Sequence, residues 1–187
     1  MSNFISWLLI PALTLMMPGR SDWFTSNFSV VGSTFPQNVF LLLWALVTGG
    51  FYHTFTKRTI GQATPFVSIK KELALTDISV FLLISAVFLP YRPAKFPIIS
   101  TLHLSMAFTA TVLFFLAVTM ADLKLYYIAP ELFGLPTAMI VFAITTTFCL
   151  LVLSNFIISS ALEIFLTIFS CIWLNVFDHR IQKLLRA

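Results

Sequence analysis

Six long apolar runs separated by short polar segments constrain this chain more than any other feature of its sequence. A helix needs about 20 mostly apolar residues to cross roughly 30 Å of hydrocarbon, and runs of about 17 to 25 residues meet that length. They fall at approximately 2–18, 36–56, 73–90, 97–121, 135–154 and 158–177. The pattern predicts an all-α, polytopic integral membrane bundle, with residues 1–187 forming a single membrane domain. Composition agrees: 59% of the residues are hydrophobic, and 11 Lys and Arg with 7 Asp and Glu cannot clothe a globule of 187 residues in polar surface.

The short segments give orientation. With the N-terminus inside, the inner side carries Lys57, Arg58, Lys70, Lys71, Lys124, Arg180, Lys183 and Arg186, against Arg20, Arg92 and Lys95 outside. Positive loops are retained in the cytoplasm, so both termini are expected there, in a multi-pass protein of the cell membrane. The net charge of +4 arises from these clusters and not from a basic amphipathic face, which excludes nucleic acid as the expected partner. Met1 to Met17 lacks a basic leading region and a small-residue cleavage pattern, so it reads as the first helix and not as a signal peptide. Pro11 should kink that helix, Pro36 and Pro97 suit first turns, and Pro90 and Pro93 should hold an extended segment.

Ionisable groups within apolar runs are costly in a bilayer, so they are the natural candidates for function. His103 lies about 9 Å down the fourth run from Pro97, and Glu163 opens the sixth at a similar depth on the same side. Ser100, His103, Ala107 and Ala110 form one stripe of small and polar residues at helical spacing, and Glu163, Thr167 and Ser170 form a second. Facing inward, the two stripes predict an outward-opening polar pocket, closed by Arg20, Asp22 and Asn27 from the first outer loop and Tyr91 and Arg92, with Lys95, from the second. There Arg20, Arg92 and His103 are expected to meet an anionic head group and Glu163 an amine or a proton, because the planar guanidinium donates paired hydrogen bonds to phosphate. The alternative is that His103 and Glu163 hold helices together. A second polar group, His53, Lys57, Arg58, Lys70 and Asp77 with Lys71 and Glu72, reads as a cytoplasmic anchor to anionic lipid heads.

Other chemistries find little footing. His53 and His103 belong to opposite faces, so no metal set converges, and no cofactor motif or P-loop occurs. Cys149 and Cys171 sit in apolar runs without redox spacing. No nucleophile with an activating base is visible, so the reading is non-enzymatic, with His103 and Glu163 as an acid and base pair the enzymatic alternative. The chain is expected to bind a lipid or small amphiphile, in lipid handling, transport or envelope sensing. Two alternatives are a partner subunit resembling the substrate-binding component of an energy-coupling transporter, whose Ala-x-x-x-Ala face the first helix lacks, and an oligomeric channel lined by Thr145, Thr146, Thr147 and the Glu163 stripe.

The stretch Asp22-Trp23-Phe24-Thr25-Ser26-Asn27-Phe28-Ser29-Val30-Val31-Gly32, followed by Leu43-Trp44, resembles an uncharacterised class of Gram-positive bacterial membrane proteins. Pro90-Tyr91-Arg92-Pro93 with Leu102-His103 and Ala107 resembles the wider superfamily of the damage-regulated autophagy modulators and FGF-receptor-activating protein. The resemblance implies six helices and an outward-facing first loop, and carries no biochemical activity with it.

Overall fold

The computed structural model describes residues 4–19 and 21–186. Among them the chain is helical with no strand. Helix α1 opens with a π-helical turn, Ile5–Leu9, and continues as an α-helix over Ile10–Met16. The wide turn stands directly before Pro11, whose ring would otherwise collide with the carbonyl four residues back. A one-turn helix α2, Phe28–Val31, follows in the first loop. Five longer helices complete the chain: α3 (Gln37–Gly61), α4 (Lys70–Phe88), α5 (Pro97–Ile128), α6 (Pro130–Leu153) and α7 (Ser160–Leu184).

Four of these, α3, α5, α6 and α7, are long and apolar enough to cross a membrane. The expectation of six such helices is therefore met only in part. The N-terminal helix spans just Ile5–Met16, and α4 has 19 residues, with Lys70, Lys71, Glu72 and Asp77 in its first turns. Boundaries also move: α3 runs to Gly61 instead of 56, α5 to Ile128 instead of 121, and α7 to Leu184 instead of 177. The apolar pattern stops where polar residues begin, but the backbone hydrogen bonding continues through Lys57, Lys124 and Asp178 because their side chains find partners on neighbouring helices.

The corners have local causes. Leu89, before Pro90, takes an extended conformation with ψ 124° and ends α4. Ala129 alone joins α5 to α6, since Pro130 disfavours helix at the residue before it and suits the first turn of the next. After α6, Asn155 and Phe156 adopt left-handed conformations (φ 52° and 61°), and the Phe156 amide donates back to Leu151 O at 2.7 Å. Ser159 then caps α7 by accepting from the Leu162 amide.

Each long helix packs on its neighbour in sequence, and α1 closes the ring against both α3 and α7, which also touch each other. Burial is uneven: 50% of the most apolar stretch of α3 and 56% of that of α7 are buried, against 28% for α5 and 17% for α6. Phe142, Ile144 and Phe148 on α6 are at least 60% exposed, as suits a lipid-facing helix. The two most buried helices carry buried Thr48, Thr56, Thr59, Thr167 and Ser170, a distribution natural where the surrounding solvent is hydrocarbon.

Candidate ligand pocket and its supports

The loop between α1 and α3 folds inward as a plug. Asp22 Oδ1 accepts from the Phe24 amide at 2.8 Å, and Asn27 Oδ1 caps α2 by accepting from the Val30 amide at 2.9 Å. Phe28 is 2% exposed and meets Trp44 edge-on with ring centres 5.2 Å apart, while Trp44 Nε1 donates to Thr14 on α1 at 2.9 Å. Gly32 is required by close approach, because a Cβ there would lie 2.5 Å from Leu41 Cδ2 and 2.9 Å from Phe28 O.

Two polar side chains of the bundle grip this plug. The Phe28 amide donates to Glu163 Oε2 at 2.7 Å, satisfying a first-turn N–H that α2 itself cannot bond. His103, 3% exposed, reaches Ser29 Oγ with Nε2 at 2.7 Å and the carbonyls of Ala86 and Leu89 with Nδ1 at 2.7 and 2.9 Å. Carbonyls only accept, so Nδ1 carries the proton, and a neutral ring accepts the Ser29 hydroxyl at Nε2. One imidazole thereby ties α2, the end of α4 and the start of α5 together. The backbone of the loop joins α7 as well, with Ser160 N donating to Ser26 O and Ala161 N to Trp23 O, at 2.7 and 2.9 Å.

Beside the plug lies a cavity of about 190 Å³, bounded by Ser29, Gly32 and Asn38 on one side and Tyr91, Arg92 and His103 on the other. It adjoins an open groove of about 640 Å³ whose walls include Val30, Phe35, Pro93 and Lys95. Ser33, Tyr91 and Arg92 belong to both. The Tyr91 ring lies 5.6 Å from the His103 ring, and the Arg92 amide donates to Ser100 Oγ at 2.9 Å, which fixes the segment carrying the guanidinium. Among the described residues no Asp or Glu lines either space.

Of the residues expected at the outer pocket, Tyr91, Arg92 and His103 meet at this cavity. Asp22, Asn27 and Glu163 occupy the same end of the bundle but engage the backbone of the plug, and Arg20 lies outside the described residues. Ser29, Gly32 and Asn38 are lining residues that spacing alone did not single out; the signal for them was the short polar loop around Asn27, a helix cap.

At the opposite end, His53 Nε2 and Lys57 Nζ each lie 3.1 Å from a different oxygen of Asp77. Arg58 and Lys70 are exposed there. A deeper pair lies beneath: Glu72 is 0% exposed, with Oε1 2.5 Å from Lys124 Nζ, which also donates to Ser68 O at 2.7 Å. Asp122, likewise 0% exposed, accepts from Thr137 of α6 at 2.7 Å. Of the three threonines expected to line a channel, Thr145 of α6 is exposed and Thr146 and Thr147 are half-buried. Among the described residues no group of three or more His, Cys, Asp or Glu is arranged to hold a metal ion.

Compared with models of known families, with curated proteins and with solved structures, the chain matches none.

Proposed function

We propose that this is a multi-pass membrane protein that binds the anionic head of a lipid or small amphiphile in the cavity beside His103, with the apolar tail along the adjoining groove. One observation carries the reading: the polar cavity and the more apolar groove share Arg92, and no carboxylate among the described residues opposes it in either. An amine at Glu163 has less support, since that carboxylate already accepts from the Phe28 amide. In this reading α1 and α4, each packed between longer helices, complete six crossings, and the Lys and Arg bias supports a cytoplasmic location for both termini and the 57–71 loop.

Topology is checked by single cysteines in a background with Cys149 and Cys171 replaced. A membrane-impermeant maleimide added to intact cells should label position 22 or 95 and miss 62 or 185; the reverse pattern overturns the orientation.

Binding is checked by lipid retention in native mass spectrometry. Arg92→Ala should lose more bound lipid than Lys95→Ala, because Pro90, Pro93 and the Ser100 hydrogen bond limit the freedom of the Arg92 backbone. Arg92→Lys keeps the charge without the planar fork and should weaken binding by about 1 kcal/mol, the scale of one hydrogen bond. Equal retention in all three variants would reduce Arg92 to an interfacial anchor.

A further inference from the structure

Helices α3 and α7 meet along a polar seam that the pocket does not use. From α3 it receives Thr48, Tyr52, Thr56 and Thr59, at successive spacings of about one helical turn, each no more than 8% exposed. On α7 the matching face carries Glu163, Thr167, Ser170 and Asp178 at helical spacing; Thr167, Ser170 and Asp178 meet α3, while Glu163 bonds the plug beside it. The Tyr52 hydroxyl donates to Thr167 O at 3.1 Å and lies beside Ser170 and Cys171, and the Thr59 hydroxyl donates to Asp178 Oδ1 at 2.9 Å. Gln62 and Gln182, bonded at 2.7 Å, continue the seam to the end of the bundle. Between Glu163 and Asp178, α7 has no Lys, Arg, Asp or Glu, and α3 has none before Lys57.

Two hydroxyls in this seam are anomalous. Thr48 Oγ1 and Thr56 Oγ1 are buried without a hydrogen-bond partner among the described residues. Helical threonines ordinarily bond the carbonyl one turn back, as Thr54, Thr76 and Thr145 do here. A buried hydroxyl left unbonded costs about 1 to 3 kcal/mol, and the usual remedy is an ordered water. Interhelical glue does not explain them, since glue requires the bond to be made. Side chains one turn apart start about 5 to 6 Å from one another, a gap that a single water spans between threonine hydroxyls such as those of Thr56 and Thr59.

We propose that the α3–α7 seam is a proton path across the membrane, with Glu163 as its terminus at the pocket end, Asp178 as its terminus at the other, and waters at Thr48 and Thr56 linking the hydroxyls between. A proton taken up by the Glu163 carboxylate displaces another along the chain, each O–H bond broken being replaced by one formed, until Asp178 releases a proton to the far side. The waters and hydroxyls then rotate back. No electron moves and no other reactant is consumed.

The test is proton flux into phosphatidylcholine vesicles containing the full-length protein, driven by a valinomycin-clamped potassium gradient and read by entrapped pyranine. Flux should exceed that of protein-free vesicles several-fold. Thr56→Val removes the hydroxyl and keeps the branched shape, so it should abolish most of the excess while leaving the melting temperature unchanged or raised. Glu163→Gln retains an acceptor for the Phe28 amide and should also lose flux, whereas Thr145→Val on the lipid-facing helix should keep it. Flux no higher than in protein-free vesicles, undiminished flux in Thr56→Val, or equal losses in Thr145→Val would each overturn the proposal.

Discussion

Replacing Lys124 with methionine should destabilise the bundle by about 3 kcal/mol, the lower end of the range for removing one partner of a buried ion pair. Glu72 has no exposed surface, and its Oε1 lies 2.5 Å from the Lys124 ammonium, while Oε2 has no hydrogen-bond partner among the described residues. Without Lys124 the carboxylate keeps its desolvation and loses its countercharge. The lower end applies because the Lys124 side chain is 36% exposed, so water already screens part of the attraction. The double variant Lys124→Met with Glu72→Gln should recover most of the loss, since a neutral amide is far less costly to bury than an unpaired charge. Denaturant titration in mixed micelles reads both. A Lys124→Met loss below about 1 kcal/mol would put the pair in the class of weak surface bridges.

Replacing His103 with alanine should cost about 4 kcal/mol: two hydrogen bonds at about 1 kcal/mol each, the Nδ1 one shared between two carbonyls, plus about 2 kcal/mol for the void left by a buried ring. The bonds join Ser29 of the plug to the carbonyls of Ala86 and Leu89, so the loss should reach the pocket as well as the fold. His103→Leu fills the space but leaves those groups unpaired, and should lose lipid retention with less loss of stability. Ser29→Ala, which removes only the bond at Nε2, should cost about 1 kcal/mol. The same titration and the same lipid-retention measurement serve all three; if His103→Ala and Ser29→Ala cost equally little, the imidazole does not tie the helices together.

The four long apolar helices and the burial of His103 were legible because apolar runs and helical spacing determine them. The plug was not. Four residues make no periodic pattern, and Phe28 reaches Glu163 across 135 positions of sequence, where no spacing rule operates. Asp22 and Asn27 look like ligand groups in a polar loop, yet their short side chains bond amides two or three residues away, as Asp and Asn often do in turns. Lys124 reads as one more positive charge for topology, and only the packing of α5 on α4 brings it to Glu72. Helix ends were misplaced for a related reason: charge marks the edge of hydrocarbon, and a helix does not have to stop there.

The length of α5 has a mechanical consequence. At 32 residues it rises about 48 Å, well beyond the roughly 30 Å of hydrocarbon in a bilayer, so as a membrane span it would lean or stand proud of the surface. Its far end is fastened on one flank to α4 through Lys124 and on the other to α6 through Asp122 and Thr137. Any change in its tilt therefore drags two neighbours along, and α4 ends at the carbonyls that orient His103. In the proposed membrane setting, bilayer thickness, which sets the tilt of an overlong helix, is expected to act through α5 on the geometry at the opposite end of the molecule.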